Sequence, residues 1–350
     1  MDGNQIDFIE NSFLKELLKK DSITDISFNG KDIYYKDNLR GRLKSDIVIT
    51  NKEAYAFIRQ VANLTDTLFS VTDPILDVSI GRYRINAIHQ SVSRKNREKV
   101  ISFSIRIGYD KLRIKEDGEF IPKQALRLLD FALNSKNSIV ISGKTGTGKT
   151  EFQKFLMSRI APNTRLIILD NINELETDFF CKDLDSQSWI TLENSPANLA
   201  NLIKASLRSN PDWLIVGEVR GKEMLDLLNS AMSGHPTITT AHAKSAESTY
   251  RRLARMAMIG NESLIYEETL TDIYDHFKMI VYLESYYDEK KKAYIRRVDS
   301  IGTNVEGEYT LLYKYPNFYN KLSGVLKNDF ELSYKEFNDY NAQIKKGEVW

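Results

Sequence analysis

The spacing of apolar residues divides the chain into two stretches with different rhythms. Residues 8–20 (FIENSFLKELLKK) and 51–66 (NKEAYAFIRQVANLTD) repeat apolar side chains every three or four positions, which predicts amphipathic helices. Residues 23–36 (ITDISFNGKDIYYK) instead alternate around Asn29-Gly30, a hairpin signal. Residues 76–90 (LDVSIGRYRINAIHQ) and 100–108 (VISFSIRIG) alternate again and predict two strands joined by the polar loop 91–99 (SVSRKNREK). Periodicity is lost in the charged segment 109–122 (YDKLRIKEDGEFIP), where the reading places a linker. From residue 123 onward, helical segments such as KQALRLLDFALNS, KTEFQKFLMSRI and KEMLDLLNSAMSG are separated by short apolar runs: SIVIS, LIIL, WLIV. Runs apolar at every position belong to strands buried on both faces, so a mostly parallel sheet covered by helices is expected. The expected organisation is α/β: an α+β domain over 1–108, a linker over 109–122, the parallel-sheet domain over 123–315, and a C-terminal appendage over 316–350.

Composition narrows the class. With 350 residues, 42% hydrophobic and 28% charged, the chain has the make-up of a globular protein and length for two domains. Lys and Arg number 49 against 48 Asp and Glu, so composition offers no electrostatic reason to expect a nucleic-acid partner; Arg94, Lys95, Arg97 and Lys99 form only a local basic loop. The start lacks the basic and apolar regions of a signal peptide, and no run approaches the ~18 apolar residues of a membrane span. A cytoplasmic location is therefore expected. The single cysteine, Cys181, excludes an internal disulfide and any multi-thiolate zinc site, and reads as a small core side chain.

Gly143 to Thr150, GKTGTGKT, satisfy G-x-x-x-x-G-K-[ST] between a predicted strand and a predicted helix. Gly143, Gly146 and Gly148 let the backbone of Lys144, Thr145 and Thr147 curl so that N–H groups face phosphate oxygens, at the positive end of the following helix. Lys149 is placed to reach the β- and γ-phosphates, and the Thr150 hydroxyl to ligate Mg2+. The expected ligand is ATP with Mg2+, and the second domain reads as a P-loop NTPase domain of RecA-like layout.

Hydrolysis needs acids beside that loop. One strand ends on Asp170 with Glu174 four residues on, and another ends on Glu218 with Arg220 beyond it. Ligands of open α/β sheets bind at the carboxyl ends of strands, so these acids are expected in one crevice with the loop. His235 and His242 flank the run PTITTA and are candidates to bond phosphate or the acids; a metal role is disfavoured, because no conventional third ligand lies near them.

Four segments in order, SGKTGTGKT, ILDNINEL, SLRSNPDWLIVGEVRGKE and SGHPTITTAHAKSA, resemble the Walker A, aspartate, Walker B and histidine boxes of the type II/type IV secretion ATPases. The resemblance runs from about residue 23 to about residue 315, and ITDISFNGKDIYY, RYRINA and ISFSIRI look like the PAS-like domain of the type IV secretion and conjugation branch. It implies a hexameric ring, peripheral at the cytoplasmic face of the membrane and working with inner-membrane components; from the near-zero net charge, no direct nucleic-acid binding is expected. It implies Glu174 as general base, Glu218 and Asp170 on the magnesium side, Arg208 and Arg220 as charge stabilisers, and Arg84 and Arg106 as phosphate-reaching arginines. Departures accompany it. Asp170-Asn171 stands where the family reads Glu-Asp, Asn210 where many relatives carry a second arginine, the histidine box is one residue shorter, and the tetracysteine zinc module of type II secretion relatives is absent. Three other readings stay open: a pilus or type II secretion motor, a RecA-like DNA-dependent ATPase, and a structural subunit that binds ATP but barely hydrolyses it.

Overall fold

The first half of the chain alternates in burial as it alternates in sequence. In the computed structural model, which describes residues 2–109, 111–171, 174–175, 181, 183–192 and 195–344, helices α1 (Asp2–Glu10) and α2 (Lys15–Leu18) precede strands β1 (Ile23–Phe28), β2 (Ile33–Asp37) and β3 (Gly41–Lys44). Helix α3 (Asn51–Leu64) follows, then β4 (Ile75–Ile80), β5 (Tyr83–Ile88), the short pair β6 (Arg94–Lys95) and β7 (Glu98–Lys99), and β8 (Ser102–Ile107). The long strands form an antiparallel sheet ordered β3-β2-β1-β8-β5-β4. Tyr83, Ile85 and Ala87 of β5 and Phe103, Ile105 and Ile107 of β8 point inward, because alternate side chains of a strand share a face. They join the same core as Ala54, Phe57, Ile58 and Val61, which line one stripe of α3. A capping box starts that helix: the Glu53 N–H donates to the Thr50 hydroxyl, and the Thr50 N–H to the Glu53 carboxylate.

Asp37 closes the turn from β2 to β3. Its carboxylate accepts from the N–H groups of Leu39 and Arg40 (both 2.9 Å), the Ser22 hydroxyl (2.8 Å) and the Arg40 guanidinium (3.2 Å). Burial alone would raise its pKa; the Arg40 N–H, the Ser22 hydroxyl, the Leu39 N–H and the Arg40 guanidinium outweigh it and hold the carboxyl down at about 2. A depressed carboxylate stabilises the fold above its unfolded pKa, and that contribution disappears as pH falls through the folded value. Asp37→Asn is therefore expected to cost about 2 kcal/mol at pH 7 and progressively less from pH 4 downward, as chemical denaturation at several pH values would read.

The second half begins with α4 (Lys123–Asn134), β9 (Ile139–Gly143), α5 (Lys149–Met157), β10 (Arg165–Asp170) and β11 (Asp185–Ile190). It continues through α6 (Leu199–Ser206), a 3-10 turn (Leu207–Ser209), β12 (Trp213–Val216), α7 (Glu223–Met232), β13 (Thr237–Ala241), α8 (Ala246–Gly260) and α9 (Tyr266–His276). The last elements are β14 (Met279–Asp288), β15 (Ala293–Val305), β16 (Glu308–Lys314), β17 (Asn317–Phe318), α10 (Gly324–Asp329) and α11 (Tyr334–Gln343). Nine strands form one sheet, β11-β10-β12-β13-β9-β14-β15-β16-β17, and the first six are parallel. The apolar runs are explained by two cores on its two faces. Ile139, Ile141, Leu166, Ile168, Trp213 and Ile215 face one, and Val140, Ile167, Leu169, Leu214 and Val216 face the other.

By its contacts the chain forms two units, Met1–Asp110 with Tyr286–Ile295, and Lys111–Ser285 with Arg296–Trp350. In the first unit, the Tyr294 N–H donates to the Leu39 carbonyl (2.7 Å). The polar loop 91–99 contains the β6–β7 pair, turned by Asn96 and Arg97 at φ 51° and 71°. Beyond residue 316, Leu326, Phe330, Leu332 and Tyr340 join the main core despite the polar run around them. Cys181 is buried, and burial pushes its thiol up to about 12, which makes it inert.

Candidate functional site

Register brings the chemistry together at the carboxyl end of the parallel strands. Ser142 of β9 pairs with Ala241 of β13, so Gly143 and His242 emerge side by side; Leu169 pairs with Val216, so Asp170 and Gly217 do likewise. Gly143 must be glycine: a Cβ there would lie 2.7 Å from the Leu283 carbonyl oxygen and 2.7 Å from the Thr147 hydroxyl. Gly148 caps α5 at φ 94°, ψ 24°, a left-handed conformation that glycine alone adopts freely. Lys144, Thr145 and Gly146 are exposed, Thr147 is buried with its hydroxyl donating to the Lys144 carbonyl (2.9 Å), and Thr150 is half-buried in the first turn of α5.

Lys149 folds back over the loop. Its ammonium lies 3.3 Å from the carbonyls of Gly143 and Lys144 and 3.4 Å from His242 Nδ1. Burial lowers its pKa, Glu218 opposes the shift and Arg220 adds to it. Lysine only donates, so the contact with Nδ1 leaves the imidazole proton on Nε2. That nitrogen stands 2.9 Å from Glu218 Oε1, a buried oxygen that makes no hydrogen bond. The other oxygen, Oε2, accepts from the Arg220 guanidinium (2.8 Å). The segment carrying Glu218 is laced on both sides. The Gly217 N–H donates to the Leu169 carbonyl (2.9 Å), the Val219 N–H to the Thr240 carbonyl (3.0 Å) and the Thr240 hydroxyl to the Gly217 carbonyl (2.8 Å). An underused buried carboxylate oxygen near the lysine suits a hard cation such as Mg2+, which takes few protein oxygens and completes its shell with phosphate and water.

Asp170 caps the loop that carries Glu174. Its Oδ2 accepts from the N–H groups of Glu174 (2.6 Å) and Leu175 (3.0 Å), and its Oδ1 would meet a Cβ on Gly217 at 2.9 Å. Glu174 is half-buried at the same sheet edge, and Ile172 and Asn173 of this box lie outside the described residues.

Other candidates stand elsewhere. His235 precedes β13 and His242 follows it, so the strand holds them at opposite edges of the sheet, roughly 20 Å apart at about 3.3 Å per residue. His235 contacts the Ser233 hydroxyl (3.3 Å) there. Arg208 is exposed in the 3-10 turn. Asn210 ends that turn at φ 50°, ψ 54°, a left-handed position that asparagine tolerates better than arginine. In the first unit Arg84 and Arg106 are cross-strand partners on the outward face; Arg84 forks onto Asp77 (3.2 and 3.0 Å) and Arg106 pairs with Asp25 (3.5 Å).

Two residues at the site escaped the sequence reading. Gln153, fully buried on α5, donates to the carbonyls of Val216 (2.9 Å) and Ile238 (3.1 Å), tying the phosphate-loop helix to β12 and β13. A polar residue on the apolar stripe of a helix was its only signal. Arg296 Nε donates to the Gly146 carbonyl (2.8 Å) from β15, 150 residues away in sequence. No local pattern announces such a contact.

This geometry meets independent likenesses. The family model described as "Type II/IV secretion system protein" matches residues 104–275. An uncharacterized protein of Bacillus anthracis is 29% identical over 313 residues, 86% of this chain and 66% of its own length. The type IV secretion system protein VirB11 of Brucella suis biovar 1 (strain 1330) is 35% identical over 155 residues, 42% of this chain and 40% of its own length. The chain thus spans under two thirds of the length of these curated relatives. The Legionella pneumophila ATPase DotB shares the fold, with a TM-score of 0.63 at 18% identity over 96% of this chain and 86% of that one. The four ordered boxes and the phosphate loop all fall inside the matched stretch, so residues 104–275 form a domain of the type II/type IV secretion ATPase superfamily.

Proposed function

We propose that this chain hydrolyses ATP as a motor subunit of a type IV secretion or conjugation machine. The observation that carries the reading is the run of contacts from Lys149 through His242 and Glu218 to Arg220, placed at the sheet edge where the phosphate loop opens. The loop N–H groups and Lys149 hold the phosphates, Thr150 and Glu218 hold Mg2+, and Glu174 orients the attacking water. Bound Mg2+ would supply neutralisation of the phosphate charge. Arg220 stabilises charge as the terminal phosphate leaves, and His242 links the occupied loop to Glu218. The likeness to VirB11, named as a type IV secretion system protein, supports the branch. A hexamer docked at the cytoplasmic face of the inner membrane completes the proposal; among the described residues no helix is long and apolar enough to cross a membrane.

The second reading, a nucleotide-gated structural subunit, is favoured by the Asp170-Asn171 departure and by Asp170 Oδ2, which accepts from the backbone N–H groups of Glu174 and Leu175. Particle mass and phosphate release, measured together in Mg-ATP with and without DNA, separate the readings. A six-subunit particle that releases phosphate without DNA supports the motor. A particle that binds ATP and releases no phosphate supports the gated subunit, and release that requires DNA and collapses with salt supports a DNA-dependent ATPase.

A further inference from the structure

We propose that Arg296 is a positioning residue for the phosphate loop, one that holds the Gly146–Thr147 peptide in its phosphate-binding orientation. The inference rests on the reading of Gly143 to Thr150 as a nucleotide site. Arg296 is half-buried on β15, and its Nε donates to the Gly146 carbonyl at 2.8 Å. Its stem crosses the start of α5, with Cδ 3.8 Å from where a Cβ on Gly148 would stand. The strand beneath it is fixed. The Val298 N–H donates to the Phe120 carbonyl (2.8 Å), Phe120 packs on Phe152 of α5 (5.4 Å between ring centroids), and Arg297 is held by Glu284 (2.7 Å) and the Tyr315 ring (3.5 Å).

A trans peptide unit points its C=O and the next N–H in opposite directions. With the Gly146 carbonyl turned onto the guanidinium, the Thr147 N–H is turned away from Arg296. It points into the loop, where its hydrogen bond to the Lys144 carbonyl is long at 3.4 Å and is the bond a phosphate oxygen would replace. Gly146 has a positive φ of 82°, and without a Cβ it leaves the ψ torsion that turns this peptide nearly free. A rotated peptide would present a carbonyl oxygen to the phosphates, which repel it. Arg296 removes that alternative before the ligand arrives, as preorganisation does.

The atom that makes the bond suggests the test. Glutamine places its Nε2 the same number of bonds from Cα as arginine Nε, so Arg296→Gln retains the donor and loses the charge, whereas Arg296→Lys retains the charge and moves the donor. Affinity of the full-length chain for a fluorescent ADP is measured with Mg2+ for Arg296→Ala, Arg296→Gln and Arg296→Lys beside the wild type. The expected result is a loss of roughly tenfold or more for Ala, recovery to within about threefold of wild type for Gln, and weaker recovery for Lys. Wild-type affinity in Arg296→Ala, or recovery by Lys as good as by Gln, would overturn the proposal. Lys149→Ala is the control. If it too binds normally, the nucleotide reading of the loop fails; if it alone loses binding, only the role of Arg296 fails.

Discussion

Lys149→Ala is expected to lower ATP affinity by on the order of 100-fold or more while leaving the melting temperature within a few degrees of wild type. The ammonium makes no core contact; it rests against loop carbonyls and His242, where phosphate oxygens would replace them. It is also partly desolvated, as the burial that lowers its pKa indicates, so its bonds to an anion are stronger than in water. Its removal is expected to leave the loop backbone in place, because Gly143 stays paired with Leu283 of β14 and the Thr147 hydroxyl still donates to the Lys144 carbonyl. Titration of a fluorescent ATP analogue, with a melting curve of the same sample, reads both quantities. Undiminished affinity with an intact fold would remove the loop from the phosphate site.

Glu174→Gln is expected to separate binding from chemistry, with ATP affinity within a few-fold of wild type and single-turnover phosphate release slowed by about 100- to 10,000-fold, the usual range for losing a positioned base. The substitution is nearly isosteric. The loop should keep its shape because Asp170 holds it through the backbone N–H groups of residues 174 and 175, which the change does not touch. Quenched single-turnover reactions at saturating ATP would read the rate. Wild-type release would transfer the base role to another group, with Glu218 the first candidate, since it faces His242 and Lys149.

The sequence makes some layers of this protein legible and hides others for physical reasons. The buried strands could be read because parallel strands covered on both faces are apolar throughout, as Val140, Ile141, Ile167 and Ile168 are. The edge strand β11, DSQSWI, could not, since it is half-exposed and carries no alternation strong enough to stand out. The phosphate loop was legible because its glycines meet steric demands that lie within the segment, such as the left-handed Gly148. Arg296 was not, because its bond depends on strand order across the sheet. The histidine box illustrates both sides: His242 could be placed beside Gly143 only once the pairing of β9 with β13 was known, and the same strand carries His235 to the opposite edge. The polar tail concealed its core contacts because only one residue in several, among them Leu326, Phe330 and Tyr340, faces inward.

Steady-state release of inorganic phosphate from Mg-ATP by the purified chain, run beside Lys149→Ala, tests the central claim most directly. The account predicts turnover in the wild type that requires Mg2+ and falls to background in the variant. Equal release by both proteins, or none from a wild type that is folded and assembled, would contradict it.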